Sequence, residues 1–129
     1  MEKQFFEMKF QDLLVYKKSF DLAMSIYKMT KCFPKEETYS LTDQIRRSSR
    51  SIAVNISEAY RKRRYEKHFL SKLSDSDAEN AETQTWLEFS YACGYIDKET
   101  YNLHHQKSKE VGNLIGYMMR NPGKFNEDI

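Results

Sequence analysis

The sequence LTDQIRRSSRSIAVNISEAYRKRR, residues 41–64, decides the fold of this chain. On a helix that turns about 100° per residue, its apolar side chains fall on one side and its arginines on the opposite side. The apolar side consists of Leu41, Ile45, Ile52, Ile56 and Ala59, and the arginine side consists of Arg46, Arg47, Arg50 and Arg61. One face of this helix is therefore predicted to join a core, and the other is predicted to meet anions.

The composition around this helix is typical of one all-α domain. The chain has 129 residues but only four glycines and two prolines, so few positions interrupt long helices. We predict an antiparallel up-down-up-down four-helix bundle, oligomeric, over residues 10–121. Residues 1–9 are predicted to form an N-terminal arm and residues 122–129 a C-terminal tail, which is polar and predicted to be mobile from Lys124 to Ile129.

The first helix is predicted to begin at Asp12 and to end near Lys31, before the break at Phe33-Pro34. It has two apolar stripes, and the spacing of the first predicts that it faces inward. The first stripe contains Leu13, Tyr16, Phe20, Ala23 and Tyr27, and the second contains Val15, Leu22, Ile26 and Met29. Ser40 or Thr42 is predicted to cap the second helix.

The third helix is predicted from Tyr65 or Glu66 to about Cys93, ended by Gly94, and it also has two apolar faces. The inward face is predicted to hold Phe69, Leu70, Leu73, Ala81, Leu87 and Tyr91, and the second face holds Ala78, Trp86, Phe89 and Cys93. A monomeric bundle can cover only one of them. The second face therefore predicts contact with another copy of the chain.

The fourth helix is predicted from Lys98 to Arg120, capped by Asp97, with inward residues Val111, Leu114, Ile115 and Met118. His104 shares that inward face, which favours a hydrogen-bonded core histidine over a catalytic base. Gly112 and Gly116 favour close helix approach over a membrane dimer. The sequence carries no motif of a nucleophile, a metal site or a phosphate loop. We predict that the protein is not an enzyme and uses no cofactor or metal.

Charge is segregated along the chain although its net value is only +2. Eight cations lie between positions 46 and 67: Arg46, Arg47, Arg50, Arg61, Lys62, Arg63, Arg64 and Lys67. Only Glu58 and Glu66 oppose them in that segment. Three interpretations stay open: a solvated helix face, a surface that binds nucleic-acid phosphates, and a surface that pairs with acids of a neighbouring copy.

The third helix supplies those acids. Positions 73–96 carry five carboxylates and no lysine or arginine, and Asp75, Glu79 and Glu82 stack at helical spacing, where they repel one another. Tyr60, Tyr65 and Val54 near the cations are weaker candidates for stacking on unpaired bases. Asn55 and Glu58 are predicted to form a structural polar pair that fixes register.

Cysteine usage and hydropathy predict a cytoplasmic protein. Cys32 and Cys93 lie far apart without a metal-ligand or disulfide pattern, so both are expected to be reduced. No export signal follows Met1, and no apolar run reaches membrane length.

The run LTDQIRRSSRSIAVNISEAYRKR resembles the signature of bacterial four-helix bundle proteins encoded in intervening sequences of large-subunit ribosomal RNA genes. The matching positions are Leu41, Gln44, Arg46, Arg47, Ser51, Ile52, Asn55, Ile56 and Glu58. The segments DLLVYKKSFDLAMSIY and LEFSYACGYI resemble other parts of the same family, so the likeness covers roughly residues 10–120. The chain departs from the family at Ala59-Tyr60, where a glycine is usual, and at Asp75 and Asp77, where small residues are usual.

The resemblance implies a bundle that assembles into a closed homopentameric ring. It also implies a relation to the accessory variability determinants of diversity-generating retroelements, which bind nucleic acid and have a reverse transcriptase as partner. The subunit number rests on this resemblance alone. We predict a non-enzymatic bundle that binds RNA or DNA backbone through the eight cations. The alternative is a protein-interaction scaffold, possibly for a reverse transcriptase, without direct nucleic-acid binding.

Overall fold

The computed structural model describes residues 8–126 as four α-helices that pack against one another, with no strand in that range. The helices are α1 (Leu14–Thr30), α2 (Leu41–Arg61), α3 (Glu66–Ala92) and α4 (Lys98–Arg120). Each follows the last through a short connection, and the spatial neighbours are α1 with α2 and α4, and α3 with α2 and α4. The predicted four-helix fold is confirmed. The predicted arm at 1–9 lies outside the described residues except for Met8 and Lys9, so it stays a prediction.

The core of α2 is confirmed residue by residue, since all five predicted apolar side chains are buried. The predicted cap at Asp12 is wrong, and the predicted cap at Ser40 is right in position but not in its hydrogen bond. Asp12 belongs to a short 3-10 turn, Phe10–Asp12, and the residue before α1 is Leu13. Ser40 precedes α2, but its hydroxyl donates to the Glu37 carboxylate, which also accepts from the Leu41 N–H. Asp97, by contrast, accepts from the Thr100 N–H at 2.8 Å and caps α4 as predicted.

The prediction that the first apolar stripe of α1 faces inward is wrong, because the second stripe faces the core. Leu13 of the first stripe is nevertheless buried. The buried residues of the helix are Val15, Ser19, Leu22, Ile26 and Thr30. The Ser19 and Thr30 hydroxyls donate to the Val15 and Ile26 carbonyls of their own helix at 2.7 and 2.8 Å, so burying them leaves no unmet donor. Phe20, at the centre of the stripe predicted to face inward, is 52% exposed.

The core stripe of α3 was also predicted only in part. Phe69, Leu73 and Leu87 are buried, but Ala81 and Tyr91 are exposed. The buried stripe is Phe69, Leu73, Ser76, Asn80, Thr83, Leu87 and Ser90, with the alternating spacing of three and four that typifies a heptad seam. Gly94 ends the turn after α3 with a φ of 77°, a left-handed conformation that glycine adopts without strain.

Hydrogen bonds between buried polar side chains join the helices at the centre of the bundle. Ser48 and Thr83 hydroxyls lie 2.9 Å apart between α2 and α3. The Asn80 amide donates to the Ser108 carbonyl at 3.0 Å, and the Ser108 hydroxyl donates back to Asn80 Oδ1 at 2.7 Å. A Cβ on Gly112 would lie 3.2 Å from Asn80 Nδ2, so this glycine permits the close approach of α3 and α4.

The segment after α4 is in contact with the bundle as far as residue 125, and the mobility predicted for the tail stays a prediction. Pro122–Lys124 form a 3-10 turn, and Phe125 packs against the core beside Phe69, with ring centroids 6.1 Å apart. One aromatic side chain is enough to fix a short polar segment, because it buries a large apolar area. Residues 127–129 of that predicted tail lie outside the described range.

The two cysteines lie at the same end of the bundle. Cys32 follows α1 and Cys93 follows α3, both are exposed, and both are free thiols. The connections that contain them meet through the rings of Phe33 and Tyr95, whose centroids are 5.3 Å apart. The connection from α2 to α3, which carries the cations between Arg61 and Lys67, lies at the opposite end.

Candidate nucleic-acid interface

The eight predicted cations do not form one continuous surface. Arg46, Arg47 and Arg50 lie in the first half of α2, whereas the other five lie at its last turn and the start of α3. The two groups differ in what their side chains contact, so they are described separately.

Arg46 holds α2 against α1. Its Nε donates to Thr30 Oγ1 at 2.8 Å, and its guanidinium carbon lies 4.8 Å from the centroid of the Tyr27 ring. Thr30 is the last residue of α1, so the cation also lies at the negative end of that helix dipole. Arg46 is half-buried, and these contacts give it a structural task in addition to any contact with a phosphate.

Arg47 and Arg50 are both exposed on the side of α2 that faces away from the core. Arg47 is 74% exposed, and its nearest carboxylate oxygen belongs to Asp43 at 4.0 Å, the outer limit of an ion pair. Arg50 lies 5.9 Å from the centroid of the Tyr27 ring and pairs with no carboxylate in residues 8–126. Both guanidinium groups can therefore reach an anion in solution.

Four cations at the connection between α2 and α3 are exposed: Arg61, Lys62, Arg64 and Lys67. Within residues 8–126, none of these four side chains makes an ion pair or a hydrogen bond. Arg63 differs, because its guanidinium lies 4.0 Å from the Tyr60 ring centroid and donates to the Tyr60 carbonyl at 3.0 Å. We call Arg61, Lys62, Arg63, Arg64 and Lys67 the basic cluster.

Helix dipoles explain only part of the basic cluster. Arg61 is in the last turn of α2, where a cation is favoured by the partial negative charge of the helix end. Lys67 is in the first turn of α3, where the same effect disfavours a cation. Tyr65, the residue before α3, gives that end no side-chain hydrogen bond within the described range. The backbone N–H groups there add to the positive potential of the basic cluster.

The predicted polar pair makes two separate contacts. The Asn55 amide donates to the Ser51 carbonyl of its own helix at 2.9 Å. The Glu58 carboxylate pairs with Lys72 of α3 at 2.9 Å. Buried hydrogen bonds between helices come from other polar residues, among them Ser48, Thr83, Asn80 and Ser108, which an apolar periodicity search does not count.

Of the three residues predicted to stack on bases, Tyr60 is buried beneath Arg63. Tyr65 is exposed, with its ring edge-to-face with that of His68. Val54 is 52% exposed and lines a groove between α1 and α2. His104 is buried and bonded at both ring nitrogens, to Ser25 Oγ at 2.8 Å and to the Thr100 carbonyl at 2.7 Å.

The acids of α3 outnumber the cations around them, although Lys72 lies close enough to Asp75 for the Asp75 charge to raise its pKa, after the larger effect of Glu58. Burial is the main cause that raises the pKa of Glu79, and the negative charges of Glu82 and Asp75 raise it further. The Glu82 carboxylate accepts from the Trp86 indole N–H at 3.2 Å. Trp86 and the half-exposed Phe89 extend this acidic face as an aromatic patch, with ring centroids 5.8 Å apart.

Comparison with known proteins identifies a family and similar solved structures. The family model described as 23S rRNA-intervening sequence protein matches residues 11–117. The chain is also similar to a crystal structure of a protein with unknown function from the S23 ribosomal protein family, from Bacteroides thetaiotaomicron. That match has a TM-score of 0.77 and 31% sequence identity, and covers 88% of this chain and 99% of that chain. No curated protein matches this chain in sequence.

Proposed function

This chain belongs to the family of 23S rRNA-intervening sequence proteins, and on that premise we propose that it binds RNA or DNA through backbone phosphates. The observation that carries the proposal is the exposure of the basic cluster. Four of its cations have no carboxylate partner within residues 8–126. Each cation that meets a phosphate releases bound counterions, which favours association without any base-specific contact.

The experiment measures the affinity of the full chain for labelled RNA and DNA by fluorescence anisotropy over a series of salt concentrations. The test variant is Arg61→Glu/Arg64→Glu. The matched control is Lys98→Glu/Lys109→Glu, which changes the net charge by the same amount on exposed positions of α4. The test variant should bind roughly 10- to 100-fold more weakly, and its log–log salt slope should be shallower by about 2.

The control variant should keep the affinity and the salt slope of the natural sequence. Equal losses in the two variants would mean that net charge, and not the basic cluster, governs binding. An affinity of the natural chain that does not fall with salt would contradict phosphate binding altogether.

We also propose that the chain assembles with copies of itself through the outer face of α3. The support is an aromatic patch, the exposed Phe89 beside the partly buried Trp86, that continues into the acids Glu79 and Glu82. Such a face suits a basic and apolar partner surface, and copies joined head to tail by unlike surfaces close into a ring when the rotation permits. Five subunits is the number implied by the family resemblance.

A solution mass from light scattering tests the assembly. A species of 15.4 kDa, the mass of one chain, would contradict it. Phe89→Glu should dissociate an assembly that uses this patch, and Leu103→Glu, on an equally exposed position of α4, should not. If Phe89→Glu leaves the mass unchanged, the patch is available to a different protein. That outcome would favour the scaffold alternative, with a partner such as a reverse transcriptase.

A further inference from the structure

The aromatic side of α1 that the core leaves exposed forms a groove with α2, which we call the α1–α2 groove. It encloses a cavity of about 390 Å³. Tyr16, Phe20 and Met24 of α1 form one wall, and Val54 and Arg50 of α2 form the other.

A second cavity of about 360 Å³ continues the α1–α2 groove, because Phe10 lines both. Lys9, Arg61 and Arg63 line this second part. Among the described residues, no aspartate or glutamate lines either cavity. The α1–α2 groove therefore has an apolar, aromatic middle with cations towards both ends.

The distance between those ends can be read along α2. Arg50 and Arg61 are separated by about 16 Å at the usual helical rise. Near the Arg50 end, the Tyr27 ring is also approached by Lys31, whose Nζ lies 4.9 Å from the ring centroid, and by Arg46. Positive charge is thus concentrated at two places with a stacking surface between them.

We propose that the α1–α2 groove takes unpaired bases of a single-stranded nucleic acid, while Arg50 and Arg61 hold the phosphates on either side. The inference rests on the proposed function and adds the strandedness of the ligand. Single-strand sites combine a positive groove with aromatic side chains, on which any base can stack. A duplex keeps its bases inside the helix and cannot fill the apolar middle of the groove.

The other candidate occupant is the acidic and aromatic face of α3 from a second copy. It would also match the charge of the α1–α2 groove. The two occupants differ in a measurable way, because only the second makes the oligomeric state depend on residues of this groove.

The experiment uses an RNA of about 20 nucleotides that carries 2-aminopurine, alone and annealed to its complement. The test variant is Phe20→Ala, and the control is Leu103→Ala, since both side chains are about half exposed. Phe20→Ala should weaken single-strand binding by about 5- to 100-fold, leave duplex binding unchanged and keep the salt slope. The natural chain should quench 2-aminopurine, and Phe20→Ala should quench it less.

A second variant guards against an effect on folding. Val54→Glu places a carboxylate in the α1–α2 groove at an exposed position and should abolish single-strand preference, whereas Val54→Gln should preserve it. Equal binding of single strand and duplex by the natural chain would overturn the inference, as would a change in solution mass caused by Phe20→Ala. If Arg61→Glu/Arg64→Glu abolishes binding and Phe20→Ala does not weaken it, phosphate binding stands and the base-binding groove is rejected.

Discussion

The two grooves that flank α2 differ in charge and in how tightly the helices pack. The α1–α2 groove is lined by cations and by no acid of the described range. On the other side, the α2–α3 groove encloses about 430 Å³ and is lined by Glu37, Tyr39, Trp86 and Phe89 among others, with no lysine or arginine. Further along the same two helices, α2 and α3 are joined by buried hydroxyl contacts such as Ser76 Oγ to the Ile52 carbonyl at 2.8 Å.

This difference shows that the polar side of an amphipathic helix is not one surface. One edge of the polar side of α2 faces α1 and the other faces α3. The side chains of the neighbouring helix determine which ligands each edge can bind. On the α1 edge, arginines lie over the Tyr27 ring and leave an open groove. On the α3 edge, Glu58 pairs with Lys72, and the exposed surface beyond is acidic.

The largest expected effect concerns packing at the two edges. Ser76→Leu inserts a large side chain where α2 and α3 are in close contact and removes the bond to the Ile52 carbonyl, so it should lower the free energy of unfolding by about 3 kcal/mol. Ser57→Leu, at a partly exposed position on the wall of the open α1–α2 groove, should cost less than about 1 kcal/mol. Urea denaturation measures both, and equal losses would mean that the two edges are packed alike.

Substitution of Arg46 tests whether this arginine stabilises the packing of α2 against α1. Arg46→Ala removes the hydrogen bond to Thr30 and the contact with Tyr27, and should lower the free energy of unfolding by about 1–2 kcal/mol. Arg46→Lys should restore little, since lysine has no planar guanidinium. Arg47→Ala is the control and should change stability by less than about 0.5 kcal/mol, because Arg47 is largely exposed. A greater loss of unfolding free energy for Arg47→Ala than for Arg46→Ala would contradict a stabilising role that belongs to Arg46 and not to Arg47.

Substitution of Glu79 tests whether the excess of carboxylates on α3 destabilises the folded protein. Its pKa is raised in the folded protein, so its ionised carboxylate costs stability once the pH rises through that pKa. Glu79→Gln should therefore raise the melting temperature by about 1–2 °C at neutral pH by relieving like-charge repulsion. The gain should vanish well below pH 4.5, the ordinary pKa of a glutamate, where the natural side chain is protonated. A melting temperature lowered at neutral pH would show instead that Glu79 has a cationic partner.

The smallest effect concerns Glu37 at the rim of the α2–α3 groove. Tyr95 donates to its carboxylate at 2.8 Å, and this bond raises the pKa of Tyr95 from 10.0 to about 12. The stabilisation is complete below pH 10 and is lost as the pH rises through 12, so neutral solutions show no pH dependence from this pair. The difference in tyrosinate absorbance between the natural chain and Tyr95→Phe should titrate near pH 12, and near 10 in a Glu37→Gln background.

The fold could be predicted from periodicity, and the errors share one cause. In α2 and α4 the predicted apolar residues lie on the buried side together with polar residues such as Ser48 and Ser108, and of the predicted set only Leu114 is partly exposed. In α1 and α3 the buried stripe includes Ser19, Ser76, Asn80 and Thr83, and counting apolar residues favours other positions. Serine and threonine enter a core when their hydroxyls bond to a carbonyl of the same or a facing helix, which sequence spacing alone does not show.

The sequence predicts which cations belong to the candidate site, but it does not predict which of them are exposed together on one surface. The sequence places Arg46 beside Arg47, and only the packed structure separates a guanidinium held against Tyr27 from one that faces water. The α1–α2 groove was missed because its aromatic wall was assigned to the core. The signal for the α1–α2 groove was that α1 has two apolar stripes. Only one stripe can face the core, so the other remains available for binding.

The positions of Cys32 and Cys93 have a practical consequence for spectroscopy. Both thiols are exposed at the end of the bundle away from the basic cluster, and α3 between them and that cluster spans about 40 Å. Maleimide dyes or nitroxide labels can therefore be attached to the natural sequence without touching the cations. With one thiol replaced by serine, a single label reports inter-chain distances or the arrival of a labelled oligonucleotide.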